Sequence, residues 1–420
     1  MNKFFLASIY LVILIQYYGN TISNILNIDE ITLIDDVLMI LIFVSLFFFK
    51  NNNKLIIRNY IFFFIFICAI SALINNVSAD VFILQLRSYL LPCVIYFIVQ
   101  RLKLSTPQIV SIFRNIIFLS IPVLISALYE FFTGKLLFVT KNRFGNYLNL
   151  DSETFRVHST IGNPIDYSNF VIIIICILLP SFFYNYYPIF KKKLTVILSI
   201  IFFVSLFMSN SRGPIFALIF GVIVFFIKTK KVSFNQLFKL FFILGPFVIY
   251  FGKNMVERIS NLSLNIEDGY RVLWLSKSFE IVKDNPFFGV GPGKFGGWVS
   301  INYNYSNIYD LYRFDSDGIS SIDMFFPHLI GETGIIGGIS YLLIFSVSFK
   351  FFKKALNTSN TKRNIYLSSV ALLLIPMLMI IGLTSISLET QLVLVLTFLI
   401  ISLLEKFTKI NNEYNTGISD

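Results

Sequence analysis

Charge is scarce in this sequence. Only 14% of its 420 residues are Asp, Glu, Lys or Arg, whereas 56% are hydrophobic. A domain surrounded by water cannot cover its surface with so few polar groups, so soluble enzymes and soluble binding modules are excluded. Cysteine is scarcer still. Cys68, Cys93 and Cys176 all fall inside apolar stretches, so neither a disulfide framework nor a Cys/His zinc spacing exists. Histidine occurs only at His158 and His328. No metal site is expected. No internal repeat and no Ser/Gly-rich or Pro-rich linker divides the chain.

What the sequence has is long apolar runs. A membrane-crossing helix needs about 20 apolar residues, and such stretches recur. They predict an all-α polytopic membrane protein with about twelve transmembrane helices: Phe4–Tyr18, Thr32–Phe49, Tyr60–Ile74, Val81–Gln100, Ile109–Glu130, Ser168–Tyr187, Leu194–Ser209, Pro214–Ile227, Gln236–Gly252, Thr333–Phe349, Asn364–Leu383 and Leu388–Leu404. The first resembles a signal peptide, but the bulky "YYGNTISN" after it offers no small-residue cleavage site, so it is expected to stay as a helix.

The net charge of +11 invites a nucleic-acid reading, and its distribution rejects one. With the N-terminus inside, the cytoplasmic segments collect 21 of the 34 basic residues, among them Lys191–Lys193, Lys353, Lys354, Lys362, Arg363, Lys406 and Lys409. The outer connections Gly19–Ile31, Asn75–Asp80 and Leu383–Leu388 hold no Lys or Arg. This is the positive-inside asymmetry, and it predicts both termini in the cytoplasm.

Four regions follow: helices one to nine over residues 1–252, a large extracytoplasmic loop over 253–332, helices ten to twelve over 333–404, and a cytoplasmic tail over 405–420. The loop carries seven basic and ten acidic residues, so its charge is mixed. Within it, Val272, Leu275, Phe279 and Val282 recur on one helical face, while Lys277, Glu280 and Asp284 lie off it. Such a helix suits the membrane surface or a cap on the bundle. "GVGPGKFGG" follows a helix rather than a strand, so it reads as a tight turn and not as a nucleotide fingerprint. The Tyr/Asn-rich stretch beyond it offers Tyr303, Tyr305 and Tyr309, flat amphipathic rings that suit sugars. A plain polar loop is the alternative.

Ionisable groups in membrane helices are costly and point to function. Here Asp35, Asp36, Arg87, Glu130, Arg212, Glu332 and Glu389 share the outer depth, and only Arg114 is comparably placed on the inner side. A transport pathway would instead spread polar groups through the midplane. Arg212 precedes Gly213-Pro214 at a helix start, where a guanidinium and free backbone N–H groups make an anion site. Arg87 can approach the same region, or be internally paired. Asp323, His328 and Glu332 stand where helix ten enters the membrane. His328 has the intrinsic pKa of a proton carrier near neutrality; His158 is a weaker candidate.

Four motifs occur in order: "RVHSTIGNPIDYSNF", "NSRGPIFAL", "YRVLWLSKSFEIVKDNPFFGVGPGKF" and the acidic and imidazole residues before "GETGIIGGI". On a chain with its large loop between helices nine and ten, this order resembles the O-antigen ligase and polymerase superfamily. The resemblance implies a GT-C-like membrane glycosyltransferase acting on glycans carried by undecaprenyl diphosphate, with no cofactor and no nucleic-acid partner. It implies that Arg212 and Arg271, joined by Arg87, hold the diphosphate, that Asp323 or His328 activates the acceptor hydroxyl, and that Tyr303, Tyr305, Tyr309 and Glu332 face sugar. The family's ligases place His about eleven positions before the Gly of the E-x-G element. Here that position is Asp323, which leans toward a polymerase joining lipid-linked repeat units. A ligase transferring glycan to lipid A-core and a polysaccharide flippase are the alternatives. Membrane lipids and a chain-length regulator are the implied partners.

Overall fold

The computed structural model describes residues 2–26, 28, 34, 36–40, 55–138, 156–229, 266–302, 312, 324–359 and 361–416. Among them all regular structure is helical. The elements are α1 (Asn2–Leu26), α2 (Arg58–Ile74), α3 (Ala79–Leu90), α4 (Cys93–Arg101), α5 (Thr106–Thr133), α6 (Pro164–Leu178), α7 (Pro180–Tyr184), α8 (Lys192–Met208), α9 (Arg212–Thr229), α10 (Ile266–Asp284), α11 (Trp298–Asn302), α12 (Phe325–Thr358), α13 (Lys362–Thr384) and α14 (Gln391–Thr416), with a 3-10 turn at Ser159–Ile161.

Among the described residues, six helical stretches are long and apolar enough to cross a membrane: α1, α5, α6 with α7, α9, α12 and α13. The pair α3 and α4 makes a seventh if taken as one span, bent by 59° where Leu91-Pro92 interrupts the backbone ladder. The expected count of twelve is therefore not reached there. The expected span Gln236–Gly252 lies outside the described residues, as does most of Thr32–Phe49. The chain is a multi-pass membrane protein.

Local chemistry sets the helix ends. Before α5, Ser105 and Gln108 form a capping box, with the Ser105 N–H donating to the Gln108 side chain at 2.8 Å. Gly134 closes the same helix at φ 64°, the left-handed conformation that favours glycine. The Asn163 side chain accepts from the Ile165 N–H at 2.8 Å and caps α6, with Pro164 in the first turn.

Helices α6 and α13 are apolar all round and buried along almost their whole length, as expected for helices at the centre of a bundle. Around them α9 packs on α13, α12 on α13, and α14 on α4. Gly221 permits the α9–α13 approach: a Cβ there would meet Met377 at 2.5 Å. Outward, Phe216, Ile219, Phe220, Ile223 and Ile227 line one exposed face of α9, and Phe62, Phe63 and Phe66 one of α2. Hydrocarbon, not water, suits such faces.

The two ends of the bundle differ chemically. At one, Arg114 Nε donates to the Ile189 carbonyl (3.1 Å), Arg363 Nε to Tyr186 (3.3 Å) and Lys406 Nζ to the Gln100 carbonyl (2.9 Å). The other gathers the ends of α2, α5, α8 and α13 with the starts of α3, α6, α9, α12 and α14. Buried polar groups meet there.

Candidate functional site

The site begins with a broken helix. Within α12, Gly334 has φ 69° and ψ −176°, a conformation essentially reserved for glycine. It separates Phe325–Thr333 from the longer segment that starts at Ile335. The break lies beside Thr333, where the sequence predicts membrane entry. It frees backbone groups that a continuous helix would pair internally, and the stretch Pro286–Gly291 pairs them instead. The Val290 and Gly291 N–H groups donate to the carbonyls of Gly331 (3.0 Å) and Glu332 (2.9 Å), and the Ile335 N–H donates to Pro286 (2.9 Å). Ser71 of α2 adds a bond to the Glu332 carbonyl at 3.1 Å.

Held by this frame, His328 and Glu332 face inward and are fully buried. Their spacing of four residues puts them one turn apart on one face. His328 Nε2 is 3.0 Å from Glu332 Oε1, and Nδ1 is 2.6 Å from Glu389 Oε1 at the head of α14. Glu332 also accepts from the Tyr89 hydroxyl (2.8 Å) and the Phe295 N–H (3.0 Å), and Glu389 from Gln85 (3.3 Å). Gly297 closes over the ring: a Cβ there would lie 2.5 Å from His328 Cε1. Both imidazole nitrogens therefore face carboxylates, and solvent does not reach either one.

A second polar group surrounds the start of α9. Arg156 donates from a terminal guanidinium nitrogen to Ser211 Oγ at 3.0 Å, beside Arg212, the first residue of α9. Both arginines are partly exposed. Nearby, the Ser387 hydroxyl donates to Asp166 in the first turn of α6. Gly213 lets α9 start against α13, since a Cβ would lie 2.7 Å from the Thr384 hydroxyl. Partly exposed cations at a helix N-terminus have the chemistry that suits an anion.

The turn holding Arg156 is built by Glu130. Its buried carboxylate accepts the N–H groups of His158 (3.0 Å) and Ser159 (2.8 Å). These bonds hold Ser159 at φ 54°, uncommon for a residue with a side chain. Thr160 then donates to the Tyr17 carbonyl of α1 at 2.8 Å. Burial pushes the His158 imidazole down to about 4, and the charge of Arg156 adds to the effect.

One short turn joins the two polar groups. Between α13 and α14, Ser385 accepts from the Phe325 N–H at 3.1 Å, Ser387 reaches Asp166, and Glu389 reaches His328. Thus the arginine group and the imidazole group share one end of the bundle.

The placement of the expected residues is mixed. His328, Glu332 and Arg212 come to this end. Arg87 forms an ion pair with Asp36, which also accepts from Gln391. Arg271 lies on α10, partly exposed, and α10 packs on α12. Asp323, Tyr303, Tyr305, Tyr309 and Asp35 lie outside the described residues. Sequence reasoning left out Arg156, Tyr89, Gln85, Asp166 and Ser387. For Arg156 the signal was present, in the stretch "RVHSTIGNP" itself. For Tyr89 and Gln85 there was none, since only the fold brings α3 to α12.

Residues 197–342 match the family model described as O-antigen ligase. The matched stretch includes Arg212, Arg271, His328 and Glu332. A search of curated proteins found no match.

Proposed function

We propose, for a chain whose residues 197–342 match the family model described as O-antigen ligase, membrane glycosyltransferase activity that joins lipid-linked repeat units of a polysaccharide. The supporting observation is the joining, at one end of the bundle, of a two-arginine anion site to an acid–imidazole group through Ser385–Glu389. The basic residues of the opposite end orient the protein by the positive-inside rule, with both termini in the cytoplasm and the site at the outer face of the cytoplasmic membrane. Impermeant thiol reagents should then label a cysteine placed at Asn307 but not one at Lys192.

In this reading the diphosphate of an undecaprenyl-linked glycan lies at Arg212 and Arg156, with Arg271 approaching from α10. Arg87 already faces Asp36 and acts at the edge of the site. An acceptor hydroxyl on a second lipid-linked unit attacks the anomeric carbon. The new C–O bond forms as the bond to the phosphate oxygen breaks, and undecaprenyl diphosphate leaves with its charge held by the guanidinium groups. The acceptor's proton passes to Asp323. His328 is assigned to positioning, because a base must come within reach of the hydroxyl and both of its nitrogens are buried, 3.0 and 2.6 Å from the carboxylate oxygens of Glu332 and Glu389. Tyr303, Tyr305 and Tyr309 are assigned to sugar contacts, and Glu332 to holding His328.

Ligation to a lipid A-core acceptor is the second reading, favoured by the description of the matching family. Polysaccharide from a strain lacking this gene separates the two. Single repeat units on the carrier support polymerisation. Full-length polymer that never reaches lipid A supports ligation. Normal polysaccharide would overturn both.

A further inference from the structure

Helix α10 is arranged inside out for a helix surrounded by water. Lys277, Ser278 and Ile281 are buried, and Ile281 packs in a small cluster with Phe295 and Met324. On the opposite side Val272 and Phe279, about two turns apart, are 69% and 70% exposed, and Phe287 just past the helix is 64% exposed. In water these are the side chains a helix would bury first.

Their position relative to α12 indicates what covers them. The Ile335 N–H donates to the Pro286 carbonyl at 2.9 Å. Phe287 therefore stands level with the first residue of the membrane-crossing segment of α12. That segment turns Ile335 and Ile339 outward, 44% and 53% exposed, so the apolar row on α10 continues the lipid-facing surface of α12. Exposed Trp298 on α11 adds the ring type that concentrates at headgroup level. Glu280, Lys283 and Asp284 are exposed beside the row, giving the helix a polar edge as well as an apolar one. Two Phe and one Val offer on the order of 400 Å², about half of the roughly 800 Å² per partner in a stable protein interface. The patch is too small for a second copy of the chain and sufficient for a lipid surface.

We propose that α10 is an interfacial helix: Val272, Phe279 and Phe287 lie in the headgroup–acyl boundary of the bilayer beside α12, and their partner is the lipid itself. Interfacial helices bury such a face about 5–10 Å below the headgroups. Arg271, next to Val272, is thereby held close to the level of lipid phosphates.

Spin labelling tests this on the full-length protein in vesicles of phosphatidylethanolamine and phosphatidylglycerol. Phe279→Cys, Phe287→Cys and Glu280→Cys are made singly; native Cys68, Cys93 and Cys176 are buried and need no removal. The ratio of oxygen to nickel-chelate collision rates should be several-fold higher for labels at 279 and 287 than at 280. Equal ratios at 279 and 280 would place the row in water and overturn the proposal. Loss of both collision rates at 279 would mean that protein covers the row, and would also overturn it. An oxygen preference at 287 alone would confine lipid contact to α12 and refute it for α10.

Discussion

His328 Nδ1 stands 2.6 Å from Glu389 Oε1, across the full lengths of α12 and α13. With Glu332 on the other ring nitrogen, the imidazole separates two carboxylates, that of Glu332 fully buried. His328→Gln leaves those carboxylates facing each other, and removing one member of a buried ionic group costs about 3–5 kcal/mol. Glu389→Gln keeps the Glu332 contact and should cost less. Thermal melting in detergent checks the order. Because the residues share one network, the double variant should lose less than the sum of the single losses.

Asp323→Asn should behave in the opposite way. A lost general base slows turnover by about 10²–10⁴-fold, and the variant keeps His328, Glu332 and Glu389. Polymer should disappear on gels while the melting temperature stays at the wild-type value. Normal polymer from this variant would remove Asp323 from the mechanism.

Arg156 and Arg212 should fail separately as well as together. Loss of one fixed cation at a developing negative charge resembles loss of an oxyanion donor, about 10²–10³-fold in rate. Arg156→Ala and Arg212→Ala should therefore each leave lipid-linked single units unpolymerised in membranes with normal protein levels. If the guanidinium fork is required, Arg212→Lys will fail too; partial rescue would show that charge suffices.

Gly334→Ala adds a Cβ to a residue at φ 69°, directly against the Phe287 backbone. Strain of that kind alone costs on the order of 1–3 kcal/mol. We expect a lower melting temperature and reduced protein in membranes. Ile335→Ala next door, on the exposed side, should do neither.

His158 predicts a pH dependence. Its folded form ionises at about 4 instead of 6.5, so between these values the unfolded chain binds more protons than the folded one. Stability from this group is complete above the unfolded value and is lost as pH falls through the folded one. His158→Gln removes that titration, and its melting temperature should fall less than wild type as pH drops from 7 to 4.

Much of this was legible in the sequence, and the limits were physical. Apolar runs identify membrane helices because hydropathy is a local property, and the SRGP stretch announces Arg212 because helix starts carry local signals. The twelve-helix count rested on composition alone and is not reached among the described residues; at Leu91-Pro92 one apolar run became two helices bent by 59°. His328 and Glu332 were legible as ionisable residues where helix ten enters the membrane, but not as a pair on one turn. Their burial was not, since it depends on Gly297, Phe295 and Glu389, which reach them from distant parts of the chain. For Arg87 the internally paired alternative matches the ion pair with Asp36, a contact whose partners lie on separate segments.

The break at Gly334 carries a consequence for motion. Carbonyls of Gly331 and Glu332 and the amide of Ile335 are satisfied by Pro286–Gly291 and not by their own helix. Pulling that stretch away would strand the Gly331 carbonyl and the Ile335 amide near hydrocarbon, at several kcal/mol each, and leave the Glu332 carbonyl with Ser71 alone. Pro286–Gly291 therefore cannot swing away from a fixed α12. Whatever movement admits two bulky lipid-linked substrates must carry Pro286–Gly291 and Phe325–Thr333 together, as one rigid wall.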